Sequence, residues 1–266
     1  MNLLAVAVAG RGLVDPAEPV FGAADEALLR GRAVFETTRV YCGRPFLLDA
    51  HLDRLGASAA RMRLPVPDAS ACHELAALII DAAGESELAL RFFWTGTTLV
   101  STCSAIDPTL EQLRARGLRL TVVRASRGAH SRAKSTSYAE NMTAQDDAIE
   151  GGADDALLVT DDGIVLEAPT ANIWWRTGDR LFTPSLELPI LAGVTRALML
   201  DLSPDPVEEG SYPLEHLLAA DEAFLTSSIR EVMPARAIDE KELTPGPAAA
   251  ALQAALRERA SAERDT

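Results

Sequence analysis

Apolar positions in the first hundred residues switch between the two-residue period of a strand and the three-to-four-residue period of a helix. The alternating runs predict strands at residues 33–41, 46–48, 88–94 and 99–106. One predicted helix is capped by Asp49 and ends before Pro65. The next is opened by Asp68 and closed by Gly84. The predicted order is therefore strand, strand, helix, helix, strand, strand.

The second half of the chain begins after a polar stretch at residues 108–117, which we interpret as an interdomain linker. Helices and strands are mixed without strict alternation, which favours an α+β fold over a doubly wound sheet. We expect a small N-terminal domain over 1–107 and a larger C-terminal domain over 118–266. The elements predicted in the larger domain are strands at 118–124 and 223–226, hairpins of 156–160 with 164–166 and of 172–176 with 180–183, and helices over 138–149, from 193 and from 247.

Composition and charge argue against several classes of function before any motif is considered. A net charge of −14 over 266 residues argues against binding of nucleic-acid phosphates or of an anionic membrane surface. No apolar run approaches the roughly 20 residues that span a bilayer, and residues 1–10 lack a basic secretion leader. Cys42, Cys72 and Cys103 are odd in number and lack metal-type spacing, and the histidines are scattered. We therefore expect reduced thiols, no metal site and a cytoplasmic location.

Lysine is rare in this chain, since Lys134 and Lys241 are the only two among 25 lysines and arginines. Lys241 lies in an Asp-Glu-Lys-Glu stretch typical of an exposed turn, whereas Lys134 lies among small polar residues between a predicted strand and a predicted helix. Arginine cannot replace lysine where an amine must lose its proton and attack a carbonyl, because a guanidinium stays charged at physiological pH. A GC-rich genome would also favour arginine, so rarity alone proves nothing. It makes Lys134 the first candidate for chemistry.

Five groups of residues accompany this lysine along the sequence. They are 34–36 with 51–55, 134–141, 163–174, 191–196 and 224–234. In order and spacing they resemble the fold-type-IV pyridoxal-phosphate enzymes, also called class IV aminotransferases: branched-chain aminotransferases, D-amino-acid aminotransferases and aminodeoxychorismate lyases. The resemblance implies a two-domain α+β fold whose larger domain holds a β-barrel-like sheet. It also implies a pyridoxal 5'-phosphate cofactor and a homodimer with the active site near the subunit interface.

The resemblance assigns the Schiff base and the contacts with the cofactor ring to four residues. Lys134 is the expected Schiff-base lysine and proton carrier, which requires an amine that titrates far below the usual pKa of about 10.4. Glu167 is expected to meet the pyridine nitrogen and keep the ring protonated, with Asn172 also in contact with the cofactor. Tyr138 is expected at the phenolic oxygen. The competing interpretations are an ordinary surface lysine for Lys134, an edge-strand charge for Glu167 and a core role for Tyr138.

The resemblance assigns the cofactor phosphate to three places. Val194 and Thr195 begin a predicted helix, where free backbone N–H groups and the helix dipole favour an anion. Ser228 and the Ile229 N–H are expected to act similarly from another loop. Arg54 would supply the fixed positive charge. The alternatives are simple helix caps for the hydroxyl residues and a solvated arginine on the first helix.

The expected substrate contacts come from a segment in which this chain departs from its relatives. Many relatives carry Gly-Asp-Gly before the second strand, and here Arg32 replaces the aspartate. In the family this loop faces the active site, so Arg32, with Arg30 and Phe35 beside it, is expected to contact the substrate and to trap its carboxylate. Arg91 is a second expected carboxylate ligand. The alternative for Arg32 is a surface ion pair with Glu26 or Asp25.

The expected substrates are amino acids and keto acids. Branched-chain L-enzymes usually have Gly-Gly-Asn-Tyr after the lysine, whereas Lys134 is followed by Ser-Thr-Ser-Tyr. Aminodeoxychorismate lyases commonly keep the Gly-Asp-Gly segment that is lost here. We therefore expect a transaminase acting between an amino acid, preferentially the D enantiomer, and an α-keto acid such as pyruvate or 2-oxoglutarate. The alternatives are an aminodeoxychorismate lyase, then a branched-chain L-amino-acid aminotransferase, and finally a non-catalytic relative.

Overall fold

The computed structural model describes residues 3–84 and 87–262, apart from the side chain of Ala129. The chain divides into two compact units. The first unit comprises Met1–Asp107, Ala133–Tyr138 and the chain end from Ala260. The second comprises Pro108–Arg132 and Ala139–Arg259. The short segment that carries Lys134 therefore groups with the first unit, whereas the sequence placed it in the C-terminal domain.

The first unit is built on an antiparallel six-stranded sheet with the strand order β2-β1-β6-β5-β3-β4. One face of this sheet packs on two helices, through a core that includes Val40, Leu55, Ile79 and Leu90. Because side chains alternate along a strand, the intervening positions of β3 and β5 point to the opposite face. The elements are β1 Leu3–Val8, β2 Gly12–Val14, α1 Glu26–Arg30, β3 Val34–Tyr41, β4 Arg44–Pro45, α2 Leu48–Arg61, α3 Ala69–Ala83, β5 Leu88–Trp94 and β6 Leu99–Ala105.

The second unit is built on a mixed eight-stranded sheet with the order β11-β10-β9-β12-β13-β7-β8, and β14 pairs with β13. The central strands β9 and β12 are almost wholly buried, with Trp174 stacked on Phe224 at 6.1 Å between ring centroids. The strands are β7 Leu118–Arg124, β8 Asp155–Val159, β9 Asn172–Thr177, β10 Arg180–Pro184, β11 Val207–Gly210, β12 Glu222–Ser227, β13 Glu231–Ile238 and β14 Lys241–Glu242. The helices are α4 Leu110–Arg116, α5 Ala139–Glu150, α6 Val194–Leu202, α7 Leu214–Leu218 and α8 Pro247–Ala262. The mixed α+β class predicted from the sequence is confirmed.

The start of the first long helix differs from the prediction. Residues 46–48 are not a strand, because β4 ends at Pro45 and α2 begins at Leu48. The N-cap is Leu47, held in the left-handed conformation with φ 54° and without a side-chain cap. Asp49 lies inside the first turn, where its carboxylate complements the helix dipole rather than capping the helix.

The stretch predicted to be a linker is folded. It contains α4, in which Leu110 is buried and Arg114 donates to the backbone carbonyls of Arg230 and Val232. The strand β13 was not predicted from the sequence, because Pro234 and Arg236 interrupt the alternation of apolar and polar residues that indicates a strand. No helix within residues 3–84 and 87–262 combines the length and apolarity needed to cross a bilayer.

Candidate active site

The backbone of Lys134 is attached to the start of β3. Its carbonyl accepts a hydrogen bond from the Phe35 N–H at 2.9 Å, and the next residue, Ser135, forms a β-bridge with Val34. The Lys134 N–H donates to the Ser58 hydroxyl of α2 at 3.1 Å. Strand and helix together therefore fix the point from which the lysine side chain extends.

The Lys134 amine lies over aromatic rings. Its Nζ is 4.5 Å from the centroid of the Phe35 ring and 6.0 Å from that of Tyr138. The two rings meet edge to face, with centroids 5.4 Å apart. The structure therefore brings together three residues that the sequence assigned to the site. Aromatic rings therefore lie against one side of the amine.

Arg91 lies on the same face of the sheet as Phe35. In the β3–β5 register Thr37 is opposite Arg91, and the Arg91 Nε donates to the Thr37 hydroxyl at 3.1 Å. The guanidinium carbon is 5.8 Å from the Phe35 ring centroid and 5.9 Å from that of Phe93. Burial lowers the pKa of Arg91, and no carboxylate within the described residues forms an ion pair with it. A half-buried cation in this setting suits an external anion.

A buried carboxylate lies next to these residues in the first unit. Glu36 is fully buried and accepts from Arg54 Nε and Nη2, each at 2.7 Å, and from His51 Nδ1 at 2.7 Å. Burial raises the pKa of Glu36, but the charges and hydrogen bonds of Arg54 and His51 outweigh it and lower the value to about 2. Burial lowers the pKa of His51, so the ring is neutral and its Nδ1–H donates.

The geometry of this cluster bears on the phosphate role predicted for Arg54. The structure pairs its guanidinium with Glu36 through two bonds, which fixes its orientation. Its contact with phosphate stays a prediction. Sequence reasoning included the other two members in the matching segments but gave them no role, although a signal was present: His51 and Arg54 lie three residues apart on one helix, and Glu36 is a charge within an apolar strand.

Arg30 at the end of α1 and Arg32 in the loop after it are paired with an acidic residue. Arg30 and Arg32 contact Glu26 at 2.7 and 2.6 Å, as the alternative interpretation of Arg32 anticipated. Their substrate contacts stay predictions. Gly31 between them has φ +62°, and a Cβ there would lie 2.6 Å from the Ser137 hydroxyl, which itself donates to the Gly31 carbonyl. The loop is therefore attached closely to the segment that follows Lys134.

In the second unit, Glu167 is held by hydrogen bonds and by an ion pair with Arg127. It is 5% exposed, and its Oε2 accepts from Asn172 Nδ2 and from the Leu191 N–H, both at 3.1 Å. Arg127 Nη1 lies 3.5 Å from Oε1. The carboxylate is thus oriented by side chains and backbone of its own unit, which is what a fixed partner for a ring nitrogen requires.

Arg127 was not anticipated from the sequence. Its side chain is only 8% exposed, and its Nη2 has no hydrogen-bond partner in the structure. A buried guanidinium N–H without an acceptor is costly unless a bound group completes it. The sequence signal was weak: an arginine seven residues before Lys134, in a segment to which no helix or strand was assigned.

The start of α6 has the features of an anion site. Its N-cap is Gly193, which provides no side-chain cap, and Val194 and Thr195 follow as buried residues. A Cβ at Gly193 would lie 2.0 Å from Asn172 Oδ1, so a side chain is excluded where the helix N–H groups begin. Asn172 therefore packs against the start of α6 and also donates a hydrogen bond to Glu167.

The other loop predicted to bind phosphate is a tight turn between β12 and β13. Ser228 and Ile229 are half-buried, and Ser227 and Glu231 close the turn as a pair. Glu231 is buried with φ 57° and accepts from Arg114, Arg257 and Gln253, at 2.9, 2.9 and 2.6 Å. A non-glycine residue held in this conformation by several ionic bonds is a fixed support for the turn. The contact of Ser228 and Ile229 with phosphate stays a prediction.

These features fit the groups of pyridoxal 5'-phosphate unit by unit. The first unit offers an amine that lies over aromatic rings. The second offers a carboxylate for a ring nitrogen, an unpartnered buried Nη2 on Arg127, and a glycine-capped helix start for a phosphate. When bound, this cofactor supplies an aldehyde that carries an amino group and a ring that withdraws electrons from it.

Comparison with known protein families shows the family to which the chain belongs. The model of the family described as amino-transferase class IV matches residues 33–238. The chain belongs to the class IV aminotransferases. Members of this family depend on pyridoxal phosphate, so the predicted family and cofactor are confirmed, and the protein is an aminotransferase or lyase of this class.

Individual class IV relatives differ in activity. The aminodeoxychorismate lyase of Bacillus subtilis is 30% identical over 249 residues, with 85% of this chain and 84% of the relative covered. A bifunctional aminodeoxychorismate lyase / D-amino acid transaminase of Mycobacterium tuberculosis is 32% identical over 217 residues, with 72% and 75% covered. Among solved structures, a PLP-bound hypothetical aminotransferase from Mycobacterium tuberculosis has a TM-score of 0.90 at 26% identity, with 98% of this chain and 100% of that chain covered.

Proposed function

We propose that this class IV enzyme is a transaminase that exchanges an amino group between a D-amino acid and an α-keto acid such as pyruvate or 2-oxoglutarate. The observation that carries the proposal is Arg91. Its half-buried guanidinium has no carboxylate partner within the described residues and lies on the same aromatic face as the Lys134 amine. Both substrates of a transaminase bring a carboxylate next to the reacting carbon, and this cation can bind it.

Lys134 is the residue that moves the proton. Its amine is positioned by backbone bonds to Phe35 and Ser58 and lies over the Phe35 ring. In this role Lys134 removes a proton from the substrate carbon and returns it to the cofactor carbon that received the nitrogen. Its amine must be neutral to do so.

Glu167 holds the proton on the ring nitrogen. It accepts hydrogen bonds from Asn172 and Leu191, and Arg127 lies 3.5 Å away. These contacts orient the carboxylate, which would face the ring nitrogen of the bound cofactor and favour a positively charged ring. Val194 and Thr195 at the α6 start, with Ser228, Ile229 and Arg54, are the residues that would hold the phosphate, and Tyr138 would meet the phenolic oxygen.

The proposal includes a cytoplasmic homodimer. Leu28 and Leu29 of α1 are 62% and 63% exposed, in a helix without buried residues, which supports contact with a second copy. Three free cysteines support a reducing compartment. Light scattering at micromolar concentration tests the dimer, and a monomer would contradict it.

Aminodeoxychorismate lyase is the second candidate. The relatives from Bacillus subtilis and Mycobacterium tuberculosis favour it, and the latter combines it with D-amino acid transamination. A lyase would also use a lysine and a carboxylate-binding arginine, so these residues alone do not choose between the two reactions.

The deciding experiment supplies pure enzyme with D-alanine and 2-oxoglutarate. Stoichiometric pyruvate and D-glutamate support the proposal. No D-glutamate, with release of pyruvate and 4-aminobenzoate from aminodeoxychorismate, overturns it in favour of the lyase. Turnover of L-valine but not D-alanine overturns it in favour of a branched-chain enzyme.

The role of Arg91 has its own matched control. Arg91→Gln should raise the KM for 2-oxoglutarate by roughly 10- to 100-fold, because a charge-assisted carboxylate contact is lost. Arg39 lies on the same face of the sheet but is paired with Glu87, so Arg39→Gln should leave that KM unchanged. Equal effects of the two substitutions would remove Arg91 from the substrate site.

A further inference from the structure

Arg230 follows the Ser228–Ile229 turn directly, and its side chain contacts two other segments of the second unit. Its Nη1 is 2.7 Å from Asp155 Oδ2, and its Nη2 donates to the Thr170 hydroxyl at 2.8 Å. The guanidinium is 17% exposed. A single planar group therefore makes two directed bonds from the end of the turn.

The Asp155 end of this link is rigid. Asp155 is the first residue of β8 and is fully buried. Its Oδ1 accepts from the Ala156 N–H at 2.9 Å and from Gln145 Nε2 at 3.1 Å, so both carboxylate oxygens are bonded. Because removing one partner of a buried ion pair is costly, this carboxylate fixes the guanidinium in place.

The Thr170 end lies in the short turn between Glu167 and Asn172, which a bridge between Ala168 and Ala171 closes. Thr170 itself is exposed, and its hydroxyl bonds the Arg230 guanidinium. Arg230 therefore joins the turn assigned to the cofactor phosphate to the turn that carries the ring-nitrogen partner.

We propose that Arg230 is a positioning residue that fixes the spacing between the phosphate contacts and the ring-nitrogen contact, by anchoring both turns to the buried carboxylate of Asp155. This inference rests on the proposed cofactor contacts of Ser228, Ile229 and Glu167. It does not depend on which substrate is used. Arg230 orients these contacts and does not touch the reacting atoms.

The test compares two ligands of the protein without bound cofactor: pyridoxal 5'-phosphate and pyridoxal, which lacks the phosphate. Affinities are measured by absorbance titration. In Arg230→Gln the phosphate turn loses its anchor, so affinity for pyridoxal 5'-phosphate should fall roughly tenfold while affinity for pyridoxal changes by less than about twofold. Arg230→Lys keeps the charge but not the two-directional geometry, and should recover only part of the preference.

Two further variants separate positioning from general stability. Arg176 pairs with the buried Glu222 at 2.6 Å and is 23% exposed, so Arg176→Gln removes a comparable ion pair elsewhere in the unit. It should lower the unfolding temperature without changing the ratio of the two affinities. Thr170→Val removes only the bond between the turns and should reduce that ratio by about threefold.

The outcomes divide cleanly. A selective loss of phosphate-dependent affinity in Arg230→Gln and Thr170→Val, absent in Arg176→Gln, supports the proposal. Equal weakening of both ligands, or an unchanged ratio, overturns it. If Arg230→Gln does not fold, Thr170→Val alone decides. Failure of D-alanine turnover in the parent enzyme would refute the proposed function and leave this result standing, because its readout is binding.

Discussion

Glu36 and Glu167 are both buried carboxylates that face an arginine, but they are held in different ways. Glu36 receives three hydrogen bonds of 2.7 Å, two of them from Arg54. The hydrogen bonds that Glu167 accepts from Asn172 and Leu191 are 3.1 Å long, Arg127 Nη1 lies 3.5 Å away, and Arg127 Nη2 has no hydrogen-bond partner in the structure. The first carboxylate is an internal counter-ion, whereas the second is oriented by longer contacts beside a cation that its neighbours do not fully satisfy.

The difference shows how similar residues serve separate purposes. Short bidentate pairing holds Arg54 in one orientation and gives Glu36 a pKa of about 2, so that carboxylate stays charged. Such a pair resists change and suits a scaffold. Longer contacts around Glu167 keep the carboxylate aimed while allowing it to accept a further proton-bearing partner. Variants of the two residues should therefore affect stability and catalysis unequally.

The largest expected effect is on folding. Glu36→Gln leaves Arg54 buried without its counter-ion, so the free energy of unfolding should fall by about 3–5 kcal/mol. Guanidinium chloride unfolding with fluorescence detection measures it. A loss below about 1 kcal/mol would show that solvent compensates Arg54 and would erase the contrast with Glu167.

The next effect is on turnover. Glu167→Gln cannot keep the ring nitrogen protonated, so kcat should fall at least about 100-fold, while the free energy of unfolding falls by less than in Glu36→Gln, because the contacts of Glu167 are longer and a glutamine oxygen can still accept from Asn172 and Leu191. Steady-state rates and unfolding curves of the same preparation check both halves. Full activity in this variant would move the ring-nitrogen contact to another residue.

A smaller effect is expected next to Glu167. Gly193→Ala places a Cβ where Asn172 Oδ1 lies, 2.0 Å away, and Asn172 must shift. We expect a loss of about 1–3 kcal/mol in unfolding free energy, with weaker cofactor binding because Asn172 also bonds Glu167. Gly178→Ala is a control for alanine at glycine without a packing clash, since nothing lies within 4 Å of its Cβ position, although its φ of +62° adds strain. Cofactor affinity should remain unchanged in that control.

The smallest effect is a pH dependence of stability. Burial lowers the pKa of His51 below its usual 6.5, so the unfolded chain takes up a proton first as the pH falls. The contribution is present above 6.5 and declines below it, with a slope of at most about 1.4 kcal/mol per pH unit. His51→Gln should flatten the unfolding free energy between about pH 7.5 and pH 5.5. The same slope in variant and parent would exclude His51 as its source.

Periodicity predicted most of the secondary structure where strands and helices each have one buried face. The strands at 88–94 and 99–106 and the helix from Asp68 to Gly84 correspond to β5, β6 and α3 within a residue. The prediction failed where tertiary contacts decide. Leu47 adopts a left-handed conformation that no local residue preference indicates, and α4 is stabilised by Arg114 bonds to a strand more than a hundred residues away.

The candidate site shows the same division. Lys134, Phe35 and Tyr138 could be grouped from sequence because the segments resemble a family with a known order. Arg127 could not be found, because its value lies in an unpartnered N–H beside Glu167, which only geometry reveals. Arg230 was included in the matching segment 224–234 but was given no role, because its two bonds reach residues 60 and 75 positions away.

The most direct test of the account asks which lysine carries the cofactor. The protein loaded with pyridoxal 5'-phosphate is reduced with borohydride, digested and analysed by mass spectrometry, beside Lys134→Ala and Lys241→Ala. We predict a phosphopyridoxyl group on Lys134 in the parent and in Lys241→Ala, and in Lys134→Ala loss of the label, the visible absorbance band and turnover. A label on Lys241, or undiminished turnover in Lys134→Ala, would contradict the account.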